Sequence, residues 1–379
     1  MHPDVASAVD ATNGLALDLY RRLAAAKSGN LFFSPSSIST ALAMTYLGAR
    51  GKTAAEMAET LHFSVPQDRL HHGYMHLIRR LGATDCQLRI ANRLWGQETF
   101  EFLPEFIAGT QEQYGAELAR ADFGKHAKEA QQAINAWVAE QTENRIVDLI
   151  PVGVLNALTR LVLISAIYFK GSWTHPFEKH ATKSAPFYCG AETIVSAPTM
   201  EQTELFGYAE TEDAQLLSMP YGSGELSMVI LLPKLKGHLA SLEKSLGLEL
   251  FRGWDRNEGR EVHVFLPRFK LEHHLQLDVE LGSMGMVEAF SETQADFSGM
   301  GGQRGDLYIA AAIHKALVEV DELGTVAAAA TGVTMALRCS VPTQPIPTFR
   351  ANHPFLFAIR HNPTGCLLFL GRVTNPAVT

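Results

Sequence analysis

The sequence predicts an α+β protein, because helical patterns dominate its first third and strand patterns its second half. Leu15, Leu19 and Leu23 recur at four-residue steps, which is the spacing of one face of a helix. The run LTRLVLISAIYFKGSW at 158–173 is almost continuously apolar, as expected of a strand that is buried on both faces. Strands and helices that alternated along the chain would instead predict a parallel βαβ fold.

Two further helices are predicted from capping residues and periodicity. Ser34-Pro-Ser-Ser has the residue types that begin helices, and it precedes an apolar run over 38–47. Ala130, Ile134 and Val138 share one face of a later helical pattern.

The remaining strong patterns are those of strands. ELSMVILLP at 225–233 repeats the doubly buried pattern, and EVHVFLPRFKLE at 261–272 alternates in part. FLFAI at 355–359 and CLLFLGRV at 366–373 flank the turn sequence HNPTG and predict a hairpin. No Gly/Ser-rich, Pro-rich or charged tract divides the chain, so we expect a single domain over residues 1–379.

Composition and charge argue against several classes of protein. The chain has 379 residues, of which 46% are hydrophobic. A chain of this length can bury a large core without disulfides or bound metals to stabilise it. Its net charge is −8 and its basic residues are scattered, whereas a nucleic-acid binder shows a basic patch or stripe. Because no run of about 18 apolar residues occurs, we expect no membrane span.

The four cysteines, Cys86, Cys189, Cys339 and Cys366, are far apart and form no CxxC pair. They therefore predict neither a disulfide framework nor a zinc site. The first residues, MHPDVASAVDATNG, lack the apolar stretch of a signal peptide, so the sequence leaves the compartment open.

Motifs that would indicate an enzyme are weak. LGARGKT at 47–53 lacks the first glycine of a phosphate-binding loop. Ser34 or Ser37 with His314 could form a nucleophile and its base, but a buried hydroxyl–imidazole cluster is the favoured interpretation. His72 and His76 are four residues apart on a predicted helix and could share a metal ion. Without a third ligand at a telling spacing, they are interpreted as a solvated helix face, and we expect no metal and no cofactor.

The stretch GTVAAAATGVTMALRCSVP at 324–342 is the most unusual part of the chain. Alanine favours helices, but the glycines that bracket the alanines and the prolines that follow disfavour one. In an extended strand, Thr325, Ala327, Ala329 and Thr331 would share one uniformly small face. Such a strand could enter between two packed strands at little cost in volume. The segment is therefore predicted to be exposed in one state and a central strand in another.

The chain as a whole resembles the serpin superfamily over nearly its whole length. The stretches that carry the resemblance include NLFFSPSSISTALAM (30–44), INAWVAEQTENRIVDLI (134–150), YFKGSW (168–173), LSMVILLP (226–233), PRFKLE (267–272), ADFSGM (295–300) and HKALVEVDELGTVAAAAT (314–331), with HPFLF and LFLGRVTNP near the end. The resemblance implies a single domain of three β-sheets with eight or nine helices, and an exposed reactive-centre loop over about 324–349. It also implies inhibition of serine proteases by a suicide mechanism, and no catalysis of its own.

In serpins a protease cuts the loop, and the N-terminal part of the loop then enters the main sheet while the acyl-linked protease is trapped. Inhibitory members share a hinge of small residues, and the matching positions here are Glu322, Gly324, Thr325, Ala327, Ala328, Ala329, Ala330 and Thr331. The family's spacing places the cut after the seventeenth residue when Glu322 is the first, which is the Arg338–Cys339 bond. An arginine there suits a trypsin-like protease; an error of one or two residues would leave Leu337 or Met335 as the bait.

The resemblance also implies a hydrogen-bonded cluster that controls sheet opening, matched here by Ser34, Ser37, Ser165, His314 and Trp173. Ser165 replaces the asparagine that serpins usually carry. Because serine reaches less far, we expect a weaker or water-bridged latch that alters the stability of the uncut protein more than its inhibition.

The expected partner is a serine protease with arginine specificity, held in a covalent complex. We expect a monomer that can form loop–sheet polymers, and no nucleic-acid or membrane partner. The resemblance favours an extracellular location. The alternative function is that of a noninhibitory serpin, a carrier or chaperone that a protease cleaves as a simple substrate. Cys339 is interpreted as an incidental small residue of the loop, and the alternative is redox control or a disulfide-linked dimer through the loop.

Overall fold

The structure is a computed structural model that describes residues 1–190, 192–247, 259–325 and 345–378. Within these ranges it has eight α-helices, most of them in the first 141 residues as the sequence predicts. They are α1 (Pro3–Ala26), α2 (Pro35–Tyr46), α3 (Gly51–Thr60), α4 (Gln67–Gly82), α5 (Pro104–Tyr114), α6 (Phe123–Gln141), α7 (Leu239–Lys244) and α8 (Leu277–Ser283).

The strands of the described residues form two hydrogen-bonded sheets. In the six-stranded sheet the spatial order is β10 (Phe269–Gln276), β11 (Ile309–Asp321), β12 (Gly324–Thr325), β4 (Leu161–Ser172), β2 (Gln87–Gln97) and β3 (Ala119–Ala121). In the nine-stranded sheet the order is β1 (Leu31–Phe33), β15 (Cys366–Val373), β14 (Phe355–His361), β8 (Leu226–Pro233), β7 (Ala214–Tyr221), β6 (Ile194–Glu210), β9 (Gly259–Pro267) and β13 (Thr348–Arg350), with β5 (Lys183–Tyr188) also on β6.

The α+β serpin fold class is confirmed, and the long strand β6 explains how three expected sheets appear as two. Its first part pairs with β5 and β9, and only its last four residues, from Gly207 to Glu210, pair with β7. One continuous strand therefore joins two groups of strands that can be counted as separate sheets. The expectation of a single domain stays a prediction.

The buried-strand prediction for 158–173 is confirmed in β4. Its odd-numbered residues Leu161, Leu163 and Ile167 belong to the large core shared with the other sheet. Its even-numbered residues Val162 and Ile164 belong to a second core, which α6 covers. Because both faces are covered, an apolar side chain is favoured at almost every position.

The segment 261–272 is two strands rather than one. β9 ends at Pro267 in the nine-stranded sheet, and β10 begins at Phe269 in the six-stranded sheet. Even-numbered residues such as Val264 are buried before the crossing and odd-numbered residues such as Leu271 after it. The pattern alternated only in part because its phase changes at Arg268, where the chain passes between the sheets.

Strand β2 was not predicted, because its sequence QLRIANRLWGQ mixes charged and apolar residues in a region of helices. It pairs antiparallel with β4 from Gln87 opposite Lys170 to Gly96 opposite Leu161. The predicted hairpin of 355–359 and 366–373 is confirmed as β14 and β15. None of the helices that the structure describes combines the length and apolarity that a membrane crossing requires.

Candidate functional site

The candidate site is the seam between β4 and β11 in the six-stranded sheet. The two strands pair directly and in parallel from Ile309 opposite Leu161 to Leu317 opposite Tyr168. Beyond this stretch they separate, and β12 lies between them, antiparallel to both. Gly324 faces Ser172 on one side and Asp321 on the other. The first two residues of the predicted loop therefore already occupy the open end of the seam.

A tight turn brings Gly324 into this position. The side-chain carboxylate of Asp321 accepts hydrogen bonds from the backbone N–H groups of Leu323, at 2.8 Å, and of Gly324, at 3.3 Å. Gly324 has φ = 144°, and a Cβ atom there would lie 2.1 Å from the carbonyl oxygen of Gly171. Only glycine fits so close to β4.

Glu322 anchors the turn to a different part of the protein. Its side chain is 2% exposed and ion-pairs with Arg268, whose Nε donates to Oε1 at 2.7 Å. The Thr182 hydroxyl donates to the same oxygen. Burial alone would raise the pKa of Glu322, but the hydrogen bonds from Thr182 and Arg268 outweigh it and lower the pKa below its usual value. Glu322 is therefore a buried carboxylate that Thr182 and Arg268 hold, and neither of these residues lies on the two strands of the seam.

We expect Glu322→Gln to destabilise the uncut protein by about 1–3 kcal/mol, since it replaces charge-assisted hydrogen bonds to a buried group by weaker ones. The measurement is thermal unfolding at a fixed heating rate. Glu178→Gln is the control, because Glu178 lies nearby with its side chain 74% exposed. Equal melting temperatures for the two variants would contradict this role for Glu322.

Trp173 lies with this turn and not with the serine–histidine cluster, so its predicted membership is corrected. The ring stacks on Tyr221 at a centroid distance of 4.3 Å, and its Nε1 donates to the carbonyl of Asp321 at 2.9 Å. Tyr221 in turn hydrogen-bonds through its hydroxyl to Thr325 Oγ1 at 2.8 Å. Along the strand direction Trp173 follows Ser165 by eight residues, roughly 26 Å, which explains the separation.

The other four predicted cluster residues do come together, and all are at most 1% exposed. Ser165 on β4 is opposite His314 on β11, and its Oγ lies 3.0 Å from His314 Nδ1 and 2.9 Å from Ser37 Oγ. Ser34 caps α2, with its Oγ accepting from the backbone N–H of Ser37 at 3.2 Å. Ser165 contacts Ser37 and His314 directly, so the water-bridged form of the expected latch is wrong, whereas a weaker latch stays a prediction.

Asn92 of β2 completes the cluster and was missed in the sequence. It is opposite Ser165 in the β2–β4 ladder; its Oδ1 accepts from Ser37 Oγ at 2.8 Å and its Nδ2 donates to Ser37 O at 2.9 Å. A side-chain amide is thus present, on the strand beside Ser165. Only a correct strand prediction for IANRL, with its register against β4, could have revealed it.

We expect Asn92→Ala to lower the free energy of unfolding by about 1–3 kcal/mol, because the buried groups of Ser37 lose their partners. Inhibition by the folded fraction should change little, since Asn92 is not on either strand of the seam. The check is melting temperature together with inhibitory stoichiometry. Gln87→Ala, at an exposed position of the same strand, is the control, and an unchanged melting temperature for Asn92→Ala would refute the assignment.

The cluster is not a catalytic pair. His314 Nε2 accepts from the backbone N–H of Ser34 at 3.1 Å, while Ser34 Oγ donates to Leu368 O at 2.6 Å. Because Nε2 of His314 accepts a hydrogen bond, its Nδ1 carries the proton and faces Ser165. Burial lowers the pKa of His314 to about 3, against the opposing effect of its hydrogen bond to Ser165 O. Neutral His314 thus bridges the two strands and α2.

This pKa predicts acid sensitivity. The unfolded state takes up the His314 proton near pH 6.5, whereas the folded state does so only near pH 3. The stability that neutral His314 contributes is complete above pH 6.5 and is lost as the pH falls toward 3. We expect the melting temperature to fall more steeply with acidification in the native protein than in His314→Gln, while buried His71 and His361 contribute equally to both. Parallel plots of melting temperature against pH for the native protein and His314→Gln would contradict this prediction.

Several predicted site residues lie outside the described residues: Ala327, Ala328, Ala329, Ala330, Thr331, Arg338 and Cys339. At its other end the predicted loop, 324–349, overlaps β13, which begins at Thr348. Within the described ranges, no group of three or more histidine, cysteine or acidic side chains is arranged to hold a metal ion.

The fold of the described residues is that of a known class of serine protease inhibitors. A family model described as Serpin (serine protease inhibitor) matches residues 10–376. Leukocyte elastase inhibitor A of Rattus norvegicus is 45% identical over 374 residues, covering 95% of this chain and 97% of that protein. The chain belongs to the serpin family.

Solved structures agree with this assignment. The crystal structure of Serpin48, described as a highly specific serpin in the insect Tenebrio molitor, superposes with a TM-score of 0.88 at 32% identity and covers 99% of this chain and 100% of that one. Human thyroxine-binding globulin, in a complex with its hormone, gives a TM-score of 0.89 at 32% identity, with coverage of 98% and 99%.

Proposed function

We propose that this protein is a suicide inhibitor of serine endopeptidases with arginine specificity. The protease cuts the Arg338–Cys339 bond and remains attached to Arg338 as an acyl-enzyme. The freed segment from Gly324 onward then inserts between β4 and β11. The protein acts by being cut, and no residue of its own catalyses a reaction.

The position of β12 is the observation that carries the proposal. Gly324 and Thr325 already pair with Ser172 and Gly171 of β4, and Thr325 also pairs with Val320 of β11. An inserting strand that keeps this register only extends strand pairing that already exists. It would place Met335 opposite Leu161, the first residue of β4, and carry Arg338 just past that end. Arg338 and the attached protease would then lie roughly 45 Å from Thr325, the length of thirteen residues of extended chain.

The same register gives Thr331 a specific partner on each side. It would lie opposite Ser165 on β4 and opposite His314 on β11, which now contact each other directly. Insertion must break that contact, and the Thr331 hydroxyl is placed to replace it. The small face that begins with Thr325 would point to the large core, where odd-numbered β4 residues lie.

Hydrogen bonding favours insertion. The parallel β4–β11 ladder is lost, but two antiparallel ladders form in its place, and antiparallel pairs are the more stable per residue. Before cleavage both ends of the loop are anchored, at β12 and at β13, so the chain cannot reach this pairing. Cleavage frees one end.

The arginine specificity rests on Arg338 and not on the relatives. Leukocyte elastase inhibitor A is named for a serine protease, which supports that class of target. Elastases favour other residues, so this chain would differ from that relative in its target. A cationic side chain at the cut suits a pocket with an acidic residue. None of the matched names supports an extracellular location, which stays a prediction.

The second candidate is a noninhibitory carrier. Thyroxine-binding globulin, which carries a small hormone in its crystal structure, has the same fold. The hinge of small residues at Thr325 and Ala327 to Thr331 favours inhibition, because a carrier needs no inserting strand.

The test mixes the protein with trypsin, first in slight excess and then in deficit, and follows denaturing gels and intact masses. We expect a band at the summed mass that survives boiling, and a released peptide that begins at Cys339. Trypsin with its active-site serine blocked is the control and should give no such band. Clean cleavage with fully active trypsin and no complex would refute inhibition and favour the carrier, while a cut at Leu337 or Met335 would refute arginine specificity.

A further inference from the structure

A pair of histidines lies on the outer face of α4, away from the strand seam. His72 and His76 are four residues apart, and their Nε2 atoms are 3.1 Å from each other. Two imidazole nitrogens bound to one transition-metal ion at about 2.0–2.1 Å are separated by about 2.9–3.4 Å, depending on the coordination geometry. The pair therefore has the spacing of a chelate before any metal is present.

The structure adds a carboxylate that the sequence did not place there. Asp4, at the start of α1, has its Oδ2 3.6 Å from His72 Nδ1, the ring nitrogen that points away from His76. Metal-binding histidines usually direct their second ring nitrogen to such a carboxylate, which fixes the tautomer and makes the other nitrogen a better ligand.

Arg69 pairs with the other oxygen of the Asp4 carboxylate, which leaves Oδ2 to face His72. The Asp4 side chain is 10% exposed, and its Oδ1 accepts from Arg69 Nε at 2.9 Å and Nη2 at 2.7 Å. The approach of the two helices is set by Gly73, where a Cβ atom would lie 2.3 Å from Asp4 O. A glycine between the two helices thus lets the carboxylate reach His72.

We propose that His72 and His76 bind a divalent first-row transition metal, with Asp4 positioning His72 through the carboxylate oxygen that faces its Nδ1. Neutral imidazoles suit Cu²⁺, Ni²⁺ and Zn²⁺, and Cu²⁺ should bind most tightly. Because the described residues hold no cluster of three or more ligands, water completes the coordination. Ca²⁺ and Mg²⁺, which prefer oxygen ligands, should not bind.

In the experiment the metal-free protein is titrated with Cu²⁺ and, separately, with Zn²⁺. Calorimetry measures the binding of both metals, and electron paramagnetic resonance identifies the ligands of Cu²⁺. We expect one site with two nitrogen ligands. His72→Ala and His76→Ala should each weaken binding by at least about tenfold, because each removes the chelate. Asp4→Asn should weaken it by about 10–100-fold, the usual effect of losing such a carboxylate. His126→Ala, whose side chain is 62% exposed, is the surface-histidine control.

Arg69→Met separates the role of Asp4 in metal binding from its role in packing. It breaks the same ion pair but keeps the carboxylate, so the metal affinity should stay near that of the native protein. Equal weakening by Arg69→Met and Asp4→Asn would refute the positioning role of Asp4. Native affinity in the His72→Ala/His76→Ala double variant would overturn the site altogether, as would a loss of binding caused by His2→Ala alone, whose ring also faces Asp4.

Discussion

Thr331→Arg should convert the protein from an inhibitor into a substrate. In the proposed insertion Thr331 arrives between Ser165 and His314, both fully buried, and His314 remains neutral at ordinary pH. An unpaired guanidinium in that place costs several kcal/mol. Because each 1.4 kcal/mol is about a tenfold change in rate, insertion loses to deacylation. We expect at least ten molecules of the variant to be consumed for each protease trapped.

Stoichiometry of inhibition and the amount of covalent complex measure this effect. Thr343→Arg is the matched control, since it makes the same change on the far side of the Arg338–Cys339 bond, outside the inserting segment. Thr331→Val keeps the shape and removes only the hydroxyl, so an intermediate stoichiometry is expected. Full trapping by Thr331→Arg would show that the segment does not insert in the register that Gly324 and Thr325 begin.

Arg338→Val should reduce the rate constant for inhibition of trypsin by about 10³-fold or more, because a pocket built for a charged group strongly rejects an apolar one. The same change should raise the rate constant for elastase. Arg338→Lys is the control: it keeps the charge and should retain most of the rate with trypsin. Second-order rate constants with both proteases measure the exchange, and an unchanged trypsin rate in Arg338→Val would move the cleaved bond away from Arg338.

The sequence predicted the parts of this molecule that depend on local pattern. The cap at Ser34 and the doubly buried run of β4 follow from rules that relate neighbouring residues, and the structure shows both. The serine–histidine cluster came from family resemblance, which supplies long-range proximity that periodicity cannot.

The rest depends on strand register, which no local spacing encodes. Asn92 meets Ser37 only because β2 pairs with β4, and Arg268 meets Glu322 across 54 residues only because the chain changes sheets there. The family resemblance places Trp173 in the same cluster as Ser165, but the two residues lie eight positions apart on an extended strand, which keeps them well separated in space.

The parallel ladder between β4 and β11 has a consequence for how the protein responds to heat. In the proposed mechanism the better-paired arrangement becomes accessible only after cleavage, so a kinetic barrier, and not the depth of a free-energy minimum, holds the uncut form. Its apparent melting temperature should therefore rise with the heating rate, as for any kinetically stable protein, and the cleaved form should unfold at a much higher temperature. Substitutions that strengthen the β4–β11 pairing would slow the thermal inactivation of the uncut protein. They would also slow strand insertion, and therefore the trapping of the protease.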